Sequence, residues 1–207
     1  MARFYLFRIN KHARIRDLIM WPIASRVLGS VYSDNVPLQS GFSMKIDMRD
    51  ILGRLILFYA PNLEYFWEPQ TLKLARLILE RANGDVITAG AHIGYTALML
   101  RTFLRGGRIF AFEPVSYLYA IAADNFSLNK NLGPIHCMRT ALDDKNGTAT
   151  VYIDTLRSTL LGAGAIKGTM SESEIVSTAT IDSVVKQNNI RELSLVFLDI
   201  EGYEFER

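Results

Sequence analysis

The chain has 207 residues and is 49% hydrophobic, 21% charged and 11% aromatic, enough apolar content for one packed domain and too much for a disordered or repetitive chain. A net charge of +2 gives no electrostatic reason to expect a nucleic-acid partner. The single cysteine, Cys137, excludes an intrachain disulfide, and with three histidines it offers no metal-ligand spacing, so no metal site is expected.

Basic residues gather at the front of the chain. Arg3, Arg8, Lys11, Arg14, Arg16 and Arg26 face only Asp17 in the first 30 positions, interleaved with Phe4, Tyr5, Phe7 and Trp21. Such a segment suits peripheral contact with an anionic membrane or a partner; a helical lead-in packed on the core, with solvated arginines, is the simpler reading. Pro22 interrupts the one apolar run, nothing has the form of a signal peptide, and no stretch approaches the roughly 18 apolar residues of a membrane span. Residues 1–40 are therefore expected to be a lead-in and 41–207 the domain proper, in a cytoplasmic protein.

The alternation in GFSMKID, 41–47, predicts a strand, and Leu52, Leu55, Ile56 and Phe58 form an apolar cluster ahead of Pro61. A helix is predicted over 72–82, with Leu72, Ala75, Leu79 and Ala82 on one face and Asn83-Gly84 to end it. Just before it, Glu64, Trp67 and Glu68 read either as the rim of a substrate mouth or as a solvated loop with one packed tryptophan.

Residues 85–114 carry the strongest pattern. A short apolar run leads through Gly90 and Gly94 into apolar positions at helical spacing, breaks at Gly106-Gly107, and runs through Arg108–Phe112 into Glu113. That is a βαβ unit, which places the glycine turn and the helix start at the carboxyl edge of a parallel sheet. An acid ending the second strand suits a ribose diol, so an adenosine-containing cofactor is implied. Gly90-Ala91-His92-Ile93-Gly94 lacks the middle glycine of a pyrophosphate cradle, which disfavours NAD and suits S-adenosylmethionine, a cofactor without phosphate.

Beyond this unit, 116–129 reads as a helix with Leu118, Ile121, Ala122 and Phe126 inward, and 135–141 as a strand in which Cys137 is a small core residue and His136 is structural. Asp143 and Asp144 follow it. A strand is predicted over 148–153, then a segment over 154–174 rich in Gly, Ser and Thr that lacks phosphate-loop spacing and reads as a lid or substrate loop. A strand over 175–180, a helix over 183–188 with Asp182 as N-cap, and a buried strand over 193–198 complete the pattern. Asp199, Glu201 and Glu204 then stand where that last strand leaves the sheet.

GAHIGYT, IFAFEP, Asn125 to Asn129, the Ala141–Asp143 stretch, TIDSV and LDIEGYE occur together and in order, and in this the chain resembles the FkbM-type family of S-adenosylmethionine-dependent methyltransferases. The resemblance implies an α/β fold: a Rossmann-like class I methyltransferase sheet with helices on both faces, apparently truncated after the fourth core strand. A second chain, or the front segment, would then cover the open edge of the last strand. It implies that Gly90, Ala91, His92, Gly94 and Glu113 hold the cofactor, and that Asp143 either meets the adenine or forms a turn with Asp144. It also implies that Asp199, Glu201 or Glu204 takes the proton of an acceptor hydroxyl on a sugar, glycan or natural product, with His92 the other candidate base. Thr88 and His92 stand where the family usually has Asp and Asn, which removes an expected anchor for the methionine part. These departures also suit a catalytically weak or inactive cofactor-binding module that acts as an interaction partner.

Overall fold

The structure, a computed structural model, describes residues 33–47, 50–59, 68–154, 159–161 and 172–200. The basic front segment up to residue 32, Glu64, Trp67, most of the expected loop over 154–174, Glu201 and Glu204 lie outside the described residues. The chain divides into two compact units, Met1–Trp67 and Glu68–Arg207.

In the first unit, β1 (Ser33–Pro37) and β2 (Ser43–Ile46) pair antiparallel, so Gly41 lies in the turn between two strands. The alternation read over 41–47 appears as β2, with Met44 and Ile46 fully buried and Ser43 and Lys45 half-exposed. Its partner β1 was not legible, because Ser-Asp-Asn has no strand character. The apolar cluster of residues 52–58 is a helix, α1 (Ile51–Tyr59), which packs on β2 and is capped by Asp50, whose Oδ2 accepts the Gly53 N–H at 2.7 Å.

The second unit is built on a four-stranded parallel sheet. Its strands are β3 (Asp85–Ala89), β4 (Ile109–Phe112), β5 (Ile135–Met138) and β10 (Leu193–Leu198), in the spatial order β10-β3-β4-β5. All residues of β3 and β4 are buried, as expected for central strands covered on both faces. Three helices, α2 (Pro69–Leu79), α3 (Tyr95–Phe103) and α4 (Ser116–Leu128), precede or connect these strands, and the two crossovers β3-α3-β4 and β4-α4-β5 advance in one direction across the sheet. On the other face, Ile87, Ala89, Phe110 and Phe112 form a core with Val184, carried by α5 (Ile181–Gln187), and with Ile190. Helices therefore cover both faces. At the opposite sheet edge Asp85 holds Arg108 by a bidentate pair, with Oδ2 2.5 Å from Nη2, and the Arg108 backbone N–H reaches Oδ1 at 2.7 Å. This pins the start of β3 to the start of β4.

Four sequence expectations differ from the structure. The strand expected over 135–141 is split: after β5 the chain turns at Arg139 into β6 (Thr140–Leu142), which joins a second sheet ordered β6-β9-β7-β8. That sheet contains β7 (Gly147–Asp154), β8 (Thr159–Leu161) and β9 (Glu172–Ala179), so part of the expected loop over 154–174 is strand. The N-cap of α5 is Thr180, whose hydroxyl accepts the Ser183 N–H at 3.1 Å; Asp182 sits inside the first turn, where its charge favours the helix dipole. The expected helix over 72–82 runs from Pro69 to Leu79, since proline is well suited to a first helical position.

Candidate cofactor and acceptor site

The turn between β3 and α3 is held almost entirely through its backbone. The Gly90 and Ala91 N–H groups both donate to the Phe112 carbonyl, at 3.1 and 3.0 Å, and Gly94 N–H donates to Ala91 at 2.7 Å. His92, in a left-handed conformation at φ 52°, donates its N–H to Glu113 Oε2 at 2.7 Å. Asn125, fully buried on α4, donates from Nδ2 to the Ile93 carbonyl at 2.8 Å, and its own carbonyl accepts from Asn129. An asparagine at a buried helical position is costly unless it is paired, and this pairing locks α4 to the turn.

Both glycines are required by the chain itself. Gly90 has φ +79°, and a Cβ there would fall onto the backbone carbonyl of Asp199. Gly94 has φ +96°, and a Cβ there would sit 2.8 Å from the Phe126 ring. A side chain at these positions would collide with the chain itself, with the exit of β10 at Gly90 and with α4 at Gly94.

Glu113 ends β4 and is only 1% exposed. Its Oε1 accepts the Val115 N–H at 3.0 Å while Oε2 holds His92. Burial pushes its carboxyl up, against the hydrogen bond from Val115, the His92 imidazole and the His92 N–H, while the negative charge of Glu174 adds to the rise. Two N–H donors leave lone pairs on both oxygens, so the donor–acceptor inventory still admits a diol. Beneath the turn, Thr88 is 1% exposed and its hydroxyl has no hydrogen-bond partner among the described residues. This chemistry, an acceptor for a diol and a polar atom under a turn that lacks the glycine spacing of a phosphate cradle, fits a nucleoside without phosphate better than a pyrophosphate.

Asp199 leaves β10 beside the turn, with its N–H donating to the Ala89 carbonyl at 3.1 Å. It lines a cavity of about 420 Å³ between α2 and β10, together with Glu68, Thr71, Ala75, Phe197 and Leu198. Glu68, read from the sequence either as part of a substrate rim or as part of a solvated loop, borders this cavity.

The structure brings Gly90, Ala91, His92, Gly94, Glu113 and Asp199 to one sheet edge. Asp143 is placed differently, because the chain enters the second sheet before reaching it: its N–H donates to Ala179 at 3.0 Å and its Oδ1 accepts the Asp144 N–H at 2.6 Å, as in a turn. Cys137 is pushed up to about 12 by burial and by the charge of Glu113, so it is an inert thiol at neutral pH. His136 stacks on Phe110, with ring centroids 5.1 Å apart. Among the described residues no group of three or more His, Cys, Asp or Glu is placed to hold a metal ion, and no helix is long and apolar enough to cross a membrane. Sequence reasoning missed the roles of Asn125 and Glu174. Asn125 sat in a recognised motif, and a polar residue on the inward face of a helix was the available signal; Glu174 had none.

A parallel sheet in which the glycine turn follows the strand flanked by β10 and β4, with an acid ending β4 and another leaving β10, is the architecture of Rossmann-like class I methyltransferases. Residues 89–207 match the methyltransferase FkbM domain, and the chain belongs to that family. It is similar to the hexuronic acid methyltransferase AglP of Haloferax volcanii, with 24% identity over 204 residues that cover 96% of this chain and 74% of that protein. Among solved structures, an O-methyltransferase from Bacillus cereus in complex with SAH aligns at 20% identity and TM-score 0.31, covering 34% of this chain and 33% of that one. A SAM-dependent methyltransferase from Agrobacterium tumefaciens aligns at 12% identity and TM-score 0.31, covering 39% and 32%. The chain thus spans about a third of each of those two structures.

Proposed function

We propose that the protein is an S-adenosylmethionine-dependent O-methyltransferase acting on a hydroxyl of a sugar or glycan. The observation that carries this reading is the backbone contact between Gly90 and Asp199, which sets a carboxylate-bearing strand end directly beside the cofactor turn. The printed name of the relative AglP, a hexuronic acid methyltransferase, supports a carbohydrate acceptor.

When bound, the cofactor supplies an activated methyl group on a sulfonium. Gly90, Ala91, His92 and Gly94 would shape its turn and Glu113 would accept hydrogen bonds from its ribose, whereas Asp143 stands apart in its turn with Asp144. Asp199 faces a cavity within the roughly 300–1,000 Å³ range of small-molecule sites. Its carboxylate would take the hydroxyl proton, which becomes acidic as that oxygen donates a lone pair to the methyl carbon and the methyl–sulfur bond breaks to leave a neutral thioether; Glu201 and Glu204 are the neighbouring candidates for the same role.

The test is transfer of a labelled methyl group from S-adenosylmethionine to a panel of uronic acids and neutral glycans. Transfer to a hydroxyl, lost by about a hundredfold in Asp199→Asn while cofactor affinity stays within about twofold, is the expected result. Cofactor binding without transfer to any member would favour a second reading, a binding module without catalysis. The observation on that side is Thr88, a buried hydroxyl without a partner among the described residues, where the family usually carries an acid.

A further inference from the structure

One carboxylate reaches the cofactor corner from the second sheet. Glu174, on β9, accepts the Ser116 N–H on Oε2 at 3.0 Å and the Ser116 hydroxyl on Oε1 at 2.6 Å, and Arg139 Nη2 lies 3.2 Å from Oε2. Burial alone would raise its carboxyl, but the Ser116 hydrogen bonds and the Arg139 charge outweigh that and hold it below the usual carboxylate range. Ser116 opens the 13-residue helix α4, whose N-cap residue Val115 makes no side-chain capping bond. The cap therefore comes from a residue 58 positions away.

The adjacent N–H groups of this helix start go to two different acids. Val115 N–H is held by Glu113, and Ser116 N–H by Glu174. Four residues, Glu113 to Ser116, are thus fixed at both ends by carboxylates. If the second anchor is lost, Val115 is freed to move with the first turn of α4, and Glu113 moves with it.

We propose that Glu174 is a positioning residue for the cofactor acid: by capping Ser116 it fixes the corner on which the Glu113 carboxylate is presented. The proposal rests on the methyltransferase reading only for the name of the ligand. The groups that face Glu113 are His92 from the turn, Cys137 from β5 and Glu174 from β9.

Two readouts on the full chain test it. The first, without ligand, is the carboxyl carbon-13 titration of Glu113 together with hydrogen exchange at the Ser116 amide. The second is calorimetry with S-adenosylhomocysteine. Glu174→Gln keeps an acceptor but removes the charge, and the Glu113 midpoint should fall. Glu174→Ala should also speed Ser116 exchange and weaken binding by about fivefold or more, with partial rescue in Glu174→Asp. Ser116→Ala retains the charge, so it should weaken binding without moving the Glu113 midpoint; it decides the matter if the Glu174 variants fail to fold. Wild-type exchange, midpoint and affinity in Glu174→Ala would overturn the proposal while leaving the methyltransferase reading intact. A wild-type chain that binds no S-adenosylhomocysteine, but whose Glu113 midpoint still falls in Glu174→Gln, would refute that reading and support the link between the two acids.

Discussion

Gly90 lies against the backbone carbonyl of Asp199, and the Asp199 N–H in turn reaches the carbonyl of Ala89, so the cofactor turn and the exit of β10 are one contiguous piece of backbone. A side chain at position 90 meets a rigid carbonyl as well as an unfavourable φ. Gly90→Ala should cost more than about 2 kcal/mol, combining strain and overlap. Gly41→Ala, at φ +89° with open space around the added carbon, should cost only the strain, about 1 kcal/mol. Urea unfolding of the two variants checks the difference; equal losses would mean that the Asp199 contact is soft.

Glu113→Ala should weaken S-adenosylmethionine binding at least about tenfold, since charge-assisted hydrogen bonds contribute about 1.5–3 kcal/mol each. Because burial raises the Glu113 carboxyl, the carboxylate form is lost on acidification sooner than for an ordinary glutamate. Wild-type affinity should therefore fall with pH starting above the usual value of about 4.3, a limb that is missing in the variant. Calorimetry across pH reads both.

Asn125→Asp removes the donor to the Ile93 carbonyl and sets two acceptors face to face in a buried site. At neutral pH it should lose at least about 2 kcal/mol, and recover part of that on acidification, when a protonated oxygen donates again. Thermal melts at two pH values are sufficient, and a loss independent of pH would rule out this account.

Asp85 is held low: burial opposes ionisation, but the hydrogen bonds and charge of Arg108 win. A depressed carboxylate stabilises the fold above its unfolded value of about 3.9, and that contribution is lost as pH falls through the lower folded value. Asp85→Asn should cost about 1–2 kcal/mol at pH 7, discounted because the Arg108 side chain is 37% exposed. The gap between variant and wild type should close in acid, as read by unfolding at pH 7 and pH 3.

The parallel sheet and the cofactor turn were legible in the sequence because they are written locally. Val86-Ile87, the two glycines and Glu113 fall within 30 residues, and the helix-to-strand change of period marks each boundary. The break between β5 and β6 was not legible, since residues 135–141 contain no Gly or Pro to mark it and only pairing with β9 shows that Thr140 has changed sheets. The same holds for Glu174, whose partner Ser116 is 58 residues distant. Thr180 was passed over for Asp182 because both are good caps, and only backbone conformation separates them.

The pairing of β10 with β3 joins segments more than a hundred residues apart, whereas β3, β4 and β5 follow one another at intervals of about two dozen. Chain closure of that kind imposes an order of events: the three local strands can assemble first, and β10 docks once the second sheet has gathered the intervening chain. Truncating Val196 on β10 should then mainly speed unfolding, while truncating Ile109 on β4 should slow folding, which stopped-flow rates would distinguish. Closure entropy grows only logarithmically, with each doubling of length costing about 0.6 kcal/mol, so the long separation of β3 and β10 weighs more on the folding rate than on the equilibrium. Asp199 becomes a late marker: it meets Gly90 only when the most distant strand has arrived.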